Sequence, residues 1–253
     1  MSGSDRFSAR AAAWDGNPFV HIMSDRAWET IQATVPTFNE ADTDRPNVLE
    51  IGCGTGLLSL QVAPKAGRLV AVDTAEGMIA ALKMKLEKPE APRNITPIHA
   101  LLEDPEDSLL PPADLDSPNG PRMKFDLITS HLVLHHIPDL EAVLKTMLGC
   151  LVEGGRVALT DFEDFGPEAR RFHPESKMDG VERHGINRAW MEDLMRKVGF
   201  VDVDVQVGWT ANKTVEKFPG EFGDKANAAD PKQGTTMQFP FLICMGCRKP
   251  AAT

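Results

Sequence analysis

Three glycines alternate with other residues in the turn Gly52-Cys53-Gly54-Thr55-Gly56, which directly follows the apolar segment 47–51. Glycine lets backbone N–H groups approach a ligand closely and still begin a helix whose positive end faces that ligand. Asp73 follows the next apolar segment, 21 positions after Gly52, where a carboxylate can accept hydrogen bonds from both hydroxyl groups of a ribose. This arrangement predicts a binding site for a cofactor that carries a nucleoside.

The third glycine and a neighbouring acid distinguish between such cofactors. The dinucleotide fingerprint is G-x-G-x-x-G, whereas the spacing here is G-x-G-x-G, and Leu57 stands where packing of helix on strand requires glycine. Glu50 precedes the first glycine by two residues, where it would repel a pyrophosphate but could order a cationic ligand. The pattern therefore favours a positively charged cofactor without phosphate.

Histidines supply the candidate acid–base groups. His135 and His136 follow the fourth predicted strand, near the crevice in which α/β sheets bind ligands, and histidine titrates near neutral pH. A structural role in bracing this loop is the alternative. His173 and His184 lie in the polar segment 162–185, which would cover a substrate pocket, so each is a candidate for catalysis or substrate contact.

Alternating strands and helices must position these residues, and they predict an α/β fold with a parallel sheet covered on both faces. After an N-terminal helical segment that includes a helix over 26–35, the predicted strands are 47–51, 68–72, 95–101, 125–130, 155–160, 200–207 and 239–244. The predicted helices between them are 57–62, 74–85, 140–151 and 187–198. The strict alternation of 200–207 is typical of a half-exposed edge strand.

Four segments resemble motifs of the class I S-adenosylmethionine-dependent methyltransferases that act on small molecules. Residues 48–56 resemble the first motif and 70–78 the second, while 125–139 are similar to the fourth-strand segment and 151–156 to the turn before the fifth strand. The resemblance spans roughly residues 46–250 in the family's order. It implies a Rossmann-like, seven-stranded, mostly parallel sheet whose last strand is antiparallel.

The resemblance also implies cofactor contacts, with S-adenosylmethionine as cofactor and S-adenosylhomocysteine as product. The turn Gly52–Gly56, Cys53 and Thr55 included, would cradle the methionine and ribose parts, with Glu50 near the ammonium group. Asp73 would hold the ribose. The other implied contacts are Thr74 and Met78 beside the adenine, Leu101, Leu102 and Glu103 along its edge, and Ser130 and His131 facing the methyl-bearing sulfur.

The chain divides into an N-terminal segment, 1–45, and a methyltransferase domain, 46–253. In the first part, Trp14 could fold over the cofactor as a lid that excludes water from a cationic sulfur, or it could anchor a helix on the core. In the second, residues 161–186 and 209–236 are predicted to be substrate-side or mobile insertions.

Composition narrows the choice of partners. With 27 Lys and Arg against 37 Asp and Glu, the formal charge is −10, which repels nucleic acids and anionic membranes. No motif for adenine amino methylation or cytosine C5 methylation is present, so we expect a small-molecule acceptor. Four cysteines and the lack of a long apolar run predict a cytoplasmic protein without a disulfide framework or a membrane partner.

Two alternative functions remain at this level. An NAD(P)-dependent oxidoreductase would use the same kind of glycine turn, and a non-catalytic regulatory protein could keep a cofactor-binding fold. Asp161, Glu163 and Asp164 could collect a hard cation, but a solvated acidic loop is the preferred interpretation, so no metal site is predicted.

Overall fold

One mixed sheet organises the chain, and the computed structural model describes residues 3–38, 45–223 and 233–251. The strands are β1 Val48–Ile51, β2 Leu69–Asp73, β3 Ile95–His99, β4 Phe125–His131, β5 Leu151–Phe162, β6 Val201–Val215 and β7 Thr235–Cys247. They lie in the order β3-β2-β1-β4-β5-β7-β6. Strands β1 to β5 are parallel, and β7 is antiparallel to both β5 and β6. The predicted Rossmann-like sheet with an antiparallel last strand is confirmed.

Capping residues mark the start of one helix and the end of another. The helices are α1 Gly3–Trp14, α2 Pro18–Thr34, α3 Leu57–Val62, α4 Glu76–Leu86, α5 Leu140–Cys150 and α6 Arg188–Val198. Asn17 caps α2 by accepting a hydrogen bond from the Phe19 N–H, so this helix begins eight residues before the predicted start at Arg26. Gly199 ends α6 in the left-handed conformation. Among the described residues, no helix is long and apolar enough to cross a bilayer.

Both faces of the sheet are covered, because successive residues of the central strands enter different core clusters. Leu49 of β1 packs in the cluster that contains residues of α5 and α6, whereas Val48 packs in the cluster that contains residues of α2, α3 and α4. Ile128 and Leu127 of β4 divide in the same way. Alternate side chains of a strand point to opposite faces, so these two clusters lie on opposite sides of the sheet.

A long antiparallel ribbon departs from the prediction. Residues 209–215 are assigned to a mobile insertion by their polar composition, but they continue β6 and pair with β7 as far as Val215 opposite Thr235. Aromatic packing stabilises this extension: the Trp209 and Phe241 rings stack with centroids 4.8 Å apart. Residues 224–232 of the predicted insertion lie outside the described residues.

Candidate active site

The turn between β1 and α3 forms a cradle at the carboxyl end of the sheet. Gly52, Gly54 and Gly56 have φ angles of 73°, 53° and 81°, which residues with side chains rarely adopt. A Cβ atom at Gly56 would lie 2.4 Å from Cδ1 of Leu82, whereas a Cβ atom at Gly54 would have no described atom within 4 Å. Gly54 therefore offers an open face where a ligand can approach the backbone closely.

Glu50 is a buried carboxyl group two residues before this turn, with 2% of its surface exposed. The Ser59 hydroxyl donates a hydrogen bond of 2.5 Å to Oε2 of Glu50. Burial raises the pKa of Glu50 to about 8, against the effect of the Ser59 bond, and the negative charge of Asp73 raises it further. No salt bridge to Glu50 is present among the described residues, so a cationic ligand group would supply the missing partner.

Asp73, at the end of β2, ties the glycine turn to the neighbouring strand. Its Oδ2 accepts a hydrogen bond of 2.8 Å from the Gly54 N–H, and its Oδ1 accepts one of 2.8 Å from the Ala75 N–H. Each carboxylate oxygen has two lone pairs, so both oxygens keep capacity for further donors such as sugar hydroxyls. Burial raises the pKa of Asp73 despite these bonds. Among the two predicted adenine contacts, Thr74 is exposed and Met78 is buried.

The N-terminal helices lie over this region and are joined to it at several points. The Trp14 side chain packs, with Phe7, against the cluster that contains Met78, and both predicted roles, lid and anchor, stay open. Asp15 accepts a hydrogen bond of 2.6 Å from the Thr55 hydroxyl, and its other oxygen lies 2.6 Å from Nζ of Lys85. Thus α1 and the residue that follows its end are fastened to the glycine turn and to α4.

The three site residues predicted after β3 differ in their exposure to solvent. Leu101 is 66% exposed and Glu103 is exposed, whereas Leu102 is buried in the core cluster next to α5. The backbone oxygen of Glu103 accepts a hydrogen bond of 2.9 Å from the Thr146 hydroxyl. Of these three predicted residues, only Leu101 and Glu103 therefore present their side chains at the surface.

At the end of β4, two predicted residues are held by neighbouring strands. The Ser130 hydroxyl donates a hydrogen bond of 2.8 Å to the Ile51 carbonyl, which aligns the ends of β4 and β1. Nδ1 of His131 lies 2.9 Å from the Thr160 hydroxyl oxygen. Burial lowers the pKa of His131 to about 4, although the charge of Asp161 opposes this, so the ring is neutral at pH 7.

His135 and His136 meet His173 in a cluster beside β5. Nδ1 of His135 lies 2.8 Å from Oδ1 of Asp161, and Nδ1 of His136 lies 2.7 Å from the Gly180 carbonyl oxygen. One ring nitrogen from each of the three histidines lies within 4.8 Å of the other two. Burial raises the pKa of Asp161, but the His135 charge and hydrogen bonds outweigh it and lower this pKa overall, so Asp161 is ionised. The prediction of a solvated acidic loop is wrong for Asp161, which is fully buried.

Buried polar atoms without a hydrogen-bond partner concentrate around this cluster. Such groups are rare in folded proteins and indicate a missing water, ion or ligand. Within the described chain, they include Nε2 of His131, Nε2 of His135, Nδ1 of His173, Nδ1 of His184 and Nε1 of Trp209. The ring centroids of His131 and Trp209 are 6.3 Å apart. The pKa of His173 is lowered first by burial and then by the nearer histidines, and His184 lowers it further. The region beside β5 is therefore equipped to bind a polar ligand.

A family model described as a methyltransferase domain matches residues 19–205 of the chain. The chain belongs to this methyltransferase-domain family. The family predicted from the four motif segments is thereby confirmed. The matched range contains the glycine turn, Asp73 and all three clustered histidines.

Similar proteins agree with this family. An uncharacterised methyltransferase of Schizosaccharomyces pombe is 28% identical over 145 residues, which cover 55% of this chain and 47% of that protein. The chain spans about half the length of the curated relatives it matches. Among solved structures, the YcgJ protein of Bacillus subtilis has a TM-score of 0.62 at 15% identity, covering 88% of this chain and 99% of that one. This likeness shows the fold.

A further structural neighbour was solved with ligands. Phosphoethanolamine N-methyltransferase 2 of Haemonchus contortus, in complex with phosphomonomethylethanolamine and S-adenosylhomocysteine, has a TM-score of 0.57 at 17% identity. The match covers 88% of this chain and 53% of that one. At this identity, the likeness again concerns the fold of the methyltransferase domain.

Several residues of the site are not evident from the sequence. Three residues bond to predicted site residues although each is an ordinary polar residue in its own segment: Ser59 to Glu50, and Asp15 and Lys85 to Thr55. Asp161 is different, because it ends the apolar run of β5 and a carboxylate at that place lies at the ligand-binding edge of the sheet. That position, rather than the acidic cluster around it, is the signal that could have identified Asp161.

Proposed function

We propose that this chain transfers a methyl group from S-adenosylmethionine to a small-molecule acceptor and releases S-adenosylhomocysteine. The acceptor atom is an O, N, S or C nucleophile. The observation that carries the proposal is the buried carboxyl group of Glu50, which lacks a cationic partner among the described residues and stands two residues before the turn that contains the open Gly54. Membership of the methyltransferase-domain family supports the same reaction.

The residues around the turn fit the parts of this cofactor. Glu50 would pair with the ammonium group of the methionine part, and the open face of Gly54 would lie against the ligand. Asp73 has lone pairs available on both carboxylate oxygens for the ribose hydroxyls. Leu101 and Glu103, whose side chains are exposed, would flank the adenine together with Thr74. When bound, the cofactor supplies a sulfonium whose methyl group is already electrophilic.

The buried polar region beside β5 supports a small acceptor. The hydrogen-bonding atoms of His131, His135 and Trp209 are buried, so a group that reaches them must be small. The Phe162 and Phe172 rings stack 4.0 Å apart, and His135 packs against Phe162 at 5.0 Å. Aromatic walls with a few polar groups are typical of sites for small organic molecules.

The protein's contribution to the reaction is mainly positioning. Ser130 aligns β4 with β1, and the Asp161–His135 bond fixes the loop after β4, so the acceptor can be held in line with the methyl group. The Nε2 lone pair of His135 can receive a proton from an acidic acceptor or bind a metal ion. His136 and His184 are the other proposed contacts of the acceptor. The ring centroids of Phe7 and His136 are 5.1 Å apart, so Phe7 would help α1 to exclude water.

The net charge bears on the proposed choice of partner, and the state of the cysteines bears on the proposed location in the cell. The net charge of −10 argues against a nucleic-acid partner. All four cysteines are buried and free, which suits a reducing compartment such as the cytoplasm.

Calorimetry with purified full-length chain tests the cofactor. S-adenosylhomocysteine should bind one per chain, NADH should not bind, and Asp73→Ala should weaken S-adenosylhomocysteine binding by about 1–3 kcal/mol. NADH binding without S-adenosylhomocysteine binding would instead favour an oxidoreductase. Release of S-adenosylhomocysteine with a panel of phenols, amines, thiols and carbon acids then tests catalysis. Cofactor binding without turnover on the whole panel would indicate a regulatory protein.

A further inference from the structure

We propose that His135, His136 and His173 bind one divalent transition-metal ion of the zinc type. Two of these residues lie in the short 3₁₀ turn after β4, and the third lies in the segment after β5. One ring nitrogen of each lies within 4.8 Å of the other two. Around a tetrahedral Zn²⁺ ion with bonds of about 2.0–2.1 Å, ligand nitrogens are separated by roughly 3.3 Å. Small side-chain rotations would bring these nitrogens to that spacing.

The outer hydrogen bonds orient two of the rings as metal ligands. The ionised carboxylate of Asp161 and the carbonyl of Gly180 can only accept, so Nδ1 of His135 and Nδ1 of His136 must each donate. The lone pair of each ring then lies on Nε2. Metal-bound histidines almost always donate their other N–H to a carboxylate or a backbone carbonyl, and both kinds of acceptor are present here.

The third ligand comes from His173, whose ring is half-buried. Nδ1 of His173 has no hydrogen-bond partner among the described residues, and neither does Nε2 of His135, whose residue is 2% exposed. A bound ion would supply the partner that these two buried nitrogens lack.

The donor set selects the class of metal. Three imidazole nitrogens suit Zn²⁺, Co²⁺, Ni²⁺ or Cu²⁺, whereas Mg²⁺ and Ca²⁺ prefer oxygen ligands. Three protein ligands leave a fourth position for water or for an acceptor atom. Metal binding does not depend on the proposed methyl transfer and departs from the sequence-based expectation of no metal site.

Titration of the tag-free, chelator-treated full-length chain with Zn²⁺ and with Co²⁺ tests the site without any cofactor present. We expect one ion per chain and, for Co²⁺, the intense visible absorption of a tetrahedral site. His173→Phe places an apolar ring among Phe162 and Phe172, and it should weaken Zn²⁺ binding at least 100-fold. His136→Asn, which keeps a donor for Gly180, should weaken it similarly. The control is His21→Ala, which removes an exposed histidine and should leave binding unchanged.

Failure to bind either ion stoichiometrically would overturn the proposal. Unchanged Zn²⁺ affinity in both cluster variants would also overturn it, because the ion would then lie elsewhere. Circular dichroism and thermal melting identify a variant that has not folded, and the Co²⁺ spectrum of the unmodified chain still decides in that case. S-adenosylhomocysteine binding, measured separately, distinguishes failure of the metal site from failure of the proposed function.

Discussion

Asp161 holds His135 from two sides. Its Oδ1 and Oδ2 lie 2.8 and 2.9 Å from Nδ1 of the imidazole, and Oδ2 also accepts a bond of 3.1 Å from the His135 backbone N–H. Both side chains are almost completely buried, at 0% and 2% exposure. Asp161 thereby fixes both the position of the loop after β4 and the tautomer of the ring, with the Nε2 lone pair available for chemistry.

Asp161→Asn tests how much the carboxylate charge contributes to stability. The amide can keep a hydrogen bond but loses the charge, so we expect the free energy of unfolding at pH 7 to fall by about 1–3 kcal/mol. The folded-state pKa of Asp161 is lowered, so the carboxylate's contribution is present above the unfolded value near 4 and is lost as the pH falls through the folded value. Urea denaturation at pH 7 and below pH 4 should therefore show the difference shrinking in acid. A difference that does not change with pH would contradict this interpretation.

Glu50→Gln should have opposite effects on stability and binding. Burial raises the pKa of Glu50 to about 8, so its contribution to stability is complete below about pH 4.5 and declines as the pH rises towards 8. Without ligand, the glutamine variant should be more stable than the parent by about 3 kcal/mol at pH 7, since each pKa unit is worth about 1.4 kcal/mol. S-adenosylhomocysteine should bind the variant at least 10-fold more weakly, because the ammonium group of the ligand would lower the pKa of Glu50 and pair with the ionised carboxylate, whereas glutamine cannot ionise.

Thermal melting across pH 5–8 and calorimetry measure these two effects of Glu50→Gln. Glu29→Gln is the matched control, because Glu29 is exposed and pairs with Arg26 on the surface of α2. It should change neither quantity appreciably. A Glu50→Gln variant that is less stable than the parent and binds normally would show that the carboxylate is structural.

Two alanine substitutions in the glycine turn distinguish contact with the ligand from packing within the protein. Gly54→Ala meets no described atom within 4 Å, so its cost to stability should be the left-handed backbone penalty of about 1–2 kcal/mol. Gly56→Ala adds a clash with the buried Leu82 and should cost about 1–3 kcal/mol more. We nevertheless expect Gly54→Ala to weaken S-adenosylhomocysteine binding at least 10-fold, since its methyl group would fill the cradle. Normal binding by a folded Gly54→Ala variant would place the cofactor elsewhere.

Local patterns predict the sheet because each strand is a short apolar run and each helix has a periodic face. The glycine turn and Asp73 are also local signals, and they lie where the topology requires. The ribbon of β6 and β7 is different, because residues 209–215 are polar on average and become a strand only by pairing with 235–241. Pairing between distant segments cannot be read from either segment alone.

The histidine cluster could be predicted only in part. His135 and His136 are adjacent in sequence and stand out after β4, whereas His173 joins them through the path of the segment after β5. Asp161 looks like a member of a solvated acidic loop because Glu163 and Asp164 follow it. Its burial depends on the neighbouring strand β7, which pairs with β5 at this position.

The connection between Asp15 and the glycine turn predicts how the N-terminal segment controls ligand exchange. Asp15 bonds to the Thr55 hydroxyl and to Lys85, whose Nζ also donates a bond of 2.8 Å to the Thr55 carbonyl. The ion pair is partly exposed, so Asp15→Asn should cost at most about 1 kcal/mol of stability. Because α1 and the turn would then separate more readily, we expect S-adenosylhomocysteine to dissociate at least several-fold faster in stopped-flow measurements that follow tryptophan fluorescence. Glu29→Gln should leave this rate unchanged, and an unaltered rate in Asp15→Asn would show that the N-terminal segment does not cover the cofactor.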